Sequence, residues 1–120
     1  MPYRIVIADQ NREIRSRIRF LLEEAGWEVI GEASDGQDAV DQAQKLSPDL
    51  VTLDIAMPIK NGIEAATEIL KTSPRTKVLI LTIHEAEEIR NQALRAGVHG
   101  YALKTSGPEL IEQVRKVLLS

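Results

Sequence analysis

The sequence predicts an α/β fold built on one parallel sheet, and three observations predict it. Short runs rich in Val, Ile and Leu alternate along the whole chain with longer stretches of helical spacing, the pattern of repeated βαβ units. The run Leu50–Leu53 is short and apolar on both faces, as a central strand covered by helices on either side should be. The chain has 120 residues and neither a linker nor a low-complexity stretch, so one domain over residues 1–120, without an effector domain, is expected.

Each element has its own signal. Tyr3–Ala8 (YRIVIA) reads as the first strand, and Arg12–Ala25 as a helix with Ile14, Ile18, Leu21, Leu22 and Ala25 on one face and Gly26 as its stop. Trp27–Ala33 is the second strand. Asp35 is the expected N-cap of the second helix, with Asp38 in its first turn; Ala39, Val40, Ala43 and Leu46 form its buried stripe up to Ser47-Pro48. Asp54 comes directly after the third strand, Leu50–Leu53. The loop Ile55–Asn61 carries Met57-Pro58, and from Gly62 the residues Ile63, Ala66, Ile69 and Leu70 space out a third helix that stops near Ser73-Pro74.

Lys77–Leu81 is the fourth strand and leads into Thr82. The fourth helix, Glu85–Ala96, has Glu85, Glu87 and Glu88 at its start and Arg95 near its end. Its apolar stripe of Ile89, Ala93 and Leu94 is thin, so it is expected to be the most mobile helix. Gly100–Leu103 is the fifth strand. Pro108, at a first-helical position, opens a last helix that turns Leu110, Ile111, Val114, Val117 and Leu118 to the core.

Composition removes whole classes of chemistry. There is no cysteine, and His84 and His99 are the only imidazoles, so thiol catalysis, disulfides and thiolate zinc sites drop out. Fifteen Lys and Arg against eighteen Asp and Glu give a net charge of -3, which argues against this domain holding nucleic acid by its phosphates. Tyr3, Phe20, Trp27 and Tyr101 are too few for a base-stacking platform. The start has only Ile5–Ala8 as an apolar run, so no signal peptide or membrane span is expected, and a soluble cytoplasmic protein is the default reading.

In an open parallel sheet, ligands bind outside the carboxyl ends of the strands. The residues just past those ends are Asp9, Asp54, Thr82 and Lys104. They share one rim if strands one, three, four and five are neighbours, as in the common doubly wound order with strand two at the edge. Paired carboxylates repel unless a cation lies between them, and hard oxygen ligands suit a divalent ion such as magnesium. With Lys104 also neutralising charge, one carboxylate could attack a phosphoryl group while Thr82 donates to a phosphate oxygen, giving an aspartyl phosphate.

At these residues the chain resembles the receiver domain of bacterial two-component response regulators over essentially its whole length. The stretches that carry the resemblance are IVIADQ, LVTLDIAMP, VLILTIH and GYALKTS. The resemblance implies a flavodoxin-like (βα)5 fold with strand order 2-1-3-4-5, in which Asp54 accepts phosphate from a histidine kinase. It also implies that Asp9, Asp54 and the Ala56 backbone carbonyl hold Mg2+, that Thr82 and Lys104 contact the phosphate, and that Tyr101 is the aromatic switch residue. The ADxN start, Thr-Ile-His and Lys-Thr-Ser look most like the NarL/FixJ-type subfamily, whose members usually carry a C-terminal DNA-binding helix-turn-helix. A phosphorylation-dependent homodimer and control of transcription follow from the same resemblance. One position departs from the pattern: Gln10 stands where a second acid is common, which makes it the weakest candidate ligand.

Several residues have a plainer reading beside the functional one. Tyr101 reads as packing or as the switch, and His84 as a solvated loop residue or one that orients water. Trp27 reads as packing. Arg12, Arg15, Arg17 and Arg19 make the first helix basic, either as a solvated face or as a docking face for the kinase. Other functions are less well supported. A phosphatase of the haloacid dehalogenase kind wants an acid two residues after the nucleophile, where this chain has Ala56; flavin binding wants a hydroxyl-rich phosphate loop. A pseudo-receiver that binds partners without phosphorylation is the alternative that Gln10 supports.

Overall fold

The computed structural model describes residues 2–83, 86–104 and 107–120. Five strands alternate with five helices: β1 (Arg4–Ala8), α1 (Arg12–Glu24), β2 (Glu28–Ala33), α2 (Gly36–Leu46), β3 (Leu50–Asp54), α3 (Gly62–Thr72), β4 (Lys77–Thr82), α4 (Glu87–Ala96), β5 (Gly100–Leu103) and α5 (Gly107–Leu118). All pairings are parallel and the order is β2-β1-β3-β4-β5. This is the expected doubly wound, flavodoxin-like (βα)5 architecture.

Side-chain alternation along the strands builds two cores. Ile5, Ile7, Leu50, Leu79 and Leu81 face α1 and α5, meeting Ile18, Leu22, Leu110 and Val114. Val6, Val51, Leu53, Val78 and Ile80 face the opposite way, against Ala39, Val40, Ala43, Ala66 and Ile69 of α2 and α3 and Ala93 of α4. Every residue of β3 is buried, and each fully buried Leu or Ile contributes roughly 1.5–3 kcal/mol over its exposed state. The three strands that present the rim acids and Thr82 are therefore the most firmly held part of the molecule.

Helix entry follows the capping rules. Asn11, Asp35 and Asn61 each accept the backbone N–H three residues on, and Asn61 with Glu64 completes a capping box. The β3–α3 loop runs close to its neighbours: a Cβ at Gly62 would come within 2.2 Å of the Asp54 carbonyl oxygen, and one at Gly36 within 2.0 Å of that of Lys60. No side chain fits at either place.

Several expectations need correction. Tyr3 and Trp27 precede β1 and β2, because pairing begins at Arg4 and Glu28. Asp54 and Thr82 are the last residues of their strands, since the ladder extends to Asp54 opposite Leu81 and Thr82 opposite Leu103. α5 begins at Gly107, so Pro108 is its second residue. Leu94, expected in the α4 stripe, is 48% exposed, which leaves Ala93 as the one buried residue of that helix. Glu85, the expected start of α4, lies outside the described residues. Among those described, no helix is long and apolar enough to cross a membrane.

Candidate functional site

The fold brings the predicted rim residues into one cleft of about 390 Å³, lined among others by Asp9, Gln10, Asp54, Ala56, Thr82, Tyr101 and Lys104. Each is placed by its element. Asp9 follows β1 and is buried; its backbone N–H donates to the Ala33 carbonyl of β2 at 3.0 Å, and its Oδ1 accepts the Asn11 N–H at 2.9 Å. Asn11 then caps α1 through Ile14, so the turn that carries Asp9 is stitched to the helix behind it. Asp54 ends the central strand, and the Gly62 N–H donates to the Ile55 carbonyl at 2.8 Å, which tightens the loop beyond it. Thr82 ends β4 next door, and the Lys104 N–H donates to the Thr82 carbonyl at 2.7 Å, so β5 delivers Lys104 to the same rim.

The Lys104 ammonium donates to Asp9 Oδ2 and lies 3.1 Å from Asp54 Oδ1. All three side chains are nearly buried, so the Coulomb interactions act with less screening than at the surface. Burial pushes the Asp54 carboxyl above its usual range, and the Asp9 charge adds to that; Lys104 and the Ala56 backbone N–H oppose it. A cation entering the cleft would relieve the burial cost of both acids.

The donors fit a hard divalent ion. They are two carboxylates and the carbonyls of the following loop, with no sulfur or imidazole among the described residues of the cleft. Among those residues no group of three or more acidic, His or Cys side chains forms a metal cluster. So sparse a set suits magnesium, which keeps several of its waters. Gln10 is exposed and lines the cleft beside Asp9 with an amide in place of a charge. Tyr101 is half-buried against the α2–α4 core and lines both this cleft and a groove between α4 and α5. His84 lies outside the described residues.

Spacing along the chain missed three contributors. Arg15, expected on a solvated or docking face, donates through Nη1 to the Asp9 main-chain carbonyl at 2.8 Å and through Nε to Glu32 at 3.2 Å. Arg19 joins the same Glu32 at 2.6 Å, so both of these arginines are engaged within the fold. Gly62 lets helix α3 start against the carbonyl of Asp54 itself. An acid on β2 within reach of two arginines one turn apart on the preceding helix is the only sequence signal for the first two.

The comparisons with known proteins agree with this geometry. The family model of the response regulator receiver domain matches residues 5–115. Protein CcdB of Bacillus subtilis is 39% identical over 96% of this chain and 97% of its own length. The transcriptional regulatory protein DegU of Brevibacillus brevis is 38% identical over 94% of this chain, which spans 49% of that longer protein. A solved two-component response regulator of the LuxR family from Aurantimonas sp. SI85-9A1 superposes with a TM-score of 0.94 at 30% identity, over 99% of this chain and 86% of that one. With the strand order, the buried acid pair and the rim lysine already in place, this chain belongs to the response regulator receiver domains of two-component systems, with NarL/LuxR-type regulators among its relatives.

Proposed function

We propose that the chain is a phosphorylation-controlled receiver in which Asp54 is the phosphoacceptor. The observation that carries this reading is the single ammonium of Lys104 shared by two buried carboxylates, Asp9 and Asp54, in a cleft that Thr82 also lines. An Asp54 oxygen forms the new P–O bond as the P–N bond of a kinase phosphohistidine breaks, and the electron pair returns to the imidazole nitrogen. Lys104 and the Thr82 hydroxyl donate to the phosphoryl oxygens as negative charge gathers on them. Asp9, Asp54 and the Ala56 carbonyl would hold magnesium, with Gln10 as the weakest contributor. When bound, that ion neutralises phosphoryl charge and holds the group in line.

Phosphorylation then draws Thr82 toward the phosphate, and Tyr101 turns into the space it leaves. The position of Tyr101 between the cleft and the α4–α5 groove supports this role. The reshaped surface of α4, β5 and α5 would drive self-association and, through a DNA-binding module, control transcription; the regulators among the relatives favour that output. The domain itself is not proposed to hold nucleic acid. Gln10 favours a second reading, an interaction module that is never phosphorylated.

Intact-mass analysis after incubation with acetyl phosphate and magnesium separates the two. The natural protein should gain one phosphoryl group and Asp54→Ala none. A labelled variant would move the nucleophile elsewhere, and an unlabelled natural protein would leave the second reading. Light scattering with beryllofluoride, a mimic of the phosphoryl group, should show a larger mass.

A further inference from the structure

Arg15 is placed unlike a surface arginine. Its side chain is 16% exposed, and its two hydrogen bonds run in different directions, one to the main-chain carbonyl of Asp9 and one to Glu32 on β2. Glu32 is itself held by Arg19, whose hydrogen bond is the main reason its carboxyl stays below the usual range. α1, the β1–α1 turn and the edge strand are thus tied together at one guanidinium. A guanidinium suits this, because its Nε and Nη1 donors are set apart in one rigid planar fork, whereas an ammonium presents all its donors from a single freely rotating nitrogen.

What is tied is the peptide unit between Asp9 and Gln10. A turn about the Asp9 Cα–C bond would carry the Asn11 N–H away from Asp9 Oδ1, and so free the carboxylate that Lys104 also holds. This loop supplies one acid and no second, since Gln10 follows, so the orientation of that acid matters more than it would beside another carboxylate.

We propose that Arg15, braced on Glu32, is a positioning residue that holds the Asp9 carboxylate toward the cleft and thereby sets the site's affinity for a divalent cation. The proposal rests on the receiver function argued above. Arg15 does not line the cleft and acts through Asp9.

The test compares the natural protein with Arg15→Lys, Arg15→Gln and Glu32→Gln in three measurements. In metal-free protein, exchange of the Asn11 amide reports whether Asp9 Oδ1 is held; it should quicken by about tenfold in both Arg15 variants while β3 amides keep their protection. Calorimetric titration should show magnesium affinity weakened by about tenfold, the lower end of what losing a supporting group costs a metal site. Labelling by acetyl phosphate should need more magnesium but reach the natural rate at saturation. Glu32→Gln should change less in each, since its amide oxygen still accepts from Arg15.

Unchanged Asn11 exchange, or quickened exchange with unchanged magnesium affinity, overturns the positioning role. Quickening spread across β1 and β3 overturns it too, in favour of general stability. A natural protein that neither binds magnesium nor takes phosphate overturns the receiver reading and this proposal with it. One that does both while the variants match it overturns this proposal alone.

Discussion

Lys104 Nζ stands 3.1 Å from Asp54 Oδ1 while its hydrogen bond goes to Asp9 Oδ2, so one cation serves two buried anions. Lys104→Met removes the charge and roughly keeps the volume. Stranding the two acids should cost about 3 kcal/mol at neutral pH. The Asp54 carboxyl, already raised above 3.8 in the folded state, should rise further without Lys104. A raised acid makes the native state bind protons more tightly, so stability should climb as pH falls from neutral toward that ordinary value. Urea unfolding in metal-free buffer at about pH 7 and about pH 5 checks it; equal losses at both would separate Asp54 from Lys104 energetically.

Gln10→Asp restores a second acid to the rim. Magnesium should then bind about ten- to a hundredfold more tightly, the scale on which supporting groups act at metal sites. Without metal the new charge crowds Asp9 and Asp54, so the variant should unfold at lower urea than the natural protein. Equal affinities would mean that the residue 10 side chain does not reach the ion.

His99 makes a two-way link to β4: its backbone N–H donates to the Val78 carbonyl at 2.9 Å, and its ring Nδ1 accepts the Val78 backbone N–H at 3.1 Å. A protonated ring cannot accept. Burial first, then the Lys77 charge, hold the imidazole below its usual value of 6.5, so this contribution is complete above that value and fades as pH falls through the lower folded one. His99→Asn offers an amide oxygen near the place of Nδ1 and does not titrate. Its stability should therefore fall less between about pH 7 and about pH 5, and a parallel fall would assign the pH response to other groups.

Thr52 sits in the middle of β3, 1% exposed, and its hydroxyl has no hydrogen-bond partner among the described residues. Thr52→Val keeps the shape and removes the stranded polar group. The gain should be about 1 kcal/mol in urea unfolding. A loss would reveal a bridging water under α1 and α5.

The fold and the rim were legible because both depend on local pattern. Apolar runs with helical spacing between them mark the repeats, and parallel topology sends each strand's end to the same edge, so Asp9, Asp54, Thr82 and Lys104 could be paired without a structure. Strand ends were misjudged by a residue because Asp54 and Thr82 look like loop residues by type while their backbones still pair with a neighbour. The tie between Arg15 and Glu32 was hidden for a different reason. It depends on β2 lying beside β1 and on α1 crossing both, which no window along the chain contains. Charge alone made four arginines look alike, although the fold engages Arg15 and Arg19 in quite different ways.

The uneven anchoring of the helices gives the molecule a stiff half and a compliant half. α2 and α3 bury four residues each, whereas α4 buries only Ala93, lacks a side-chain N-cap and lies beside a β5 with no fully buried residue. A displacement at the rim would meet less resistance from α4 than from α2 or α3. In the proposed receiver, the direction of the response would thus follow the weakest restoring forces, before any partner touches the surface.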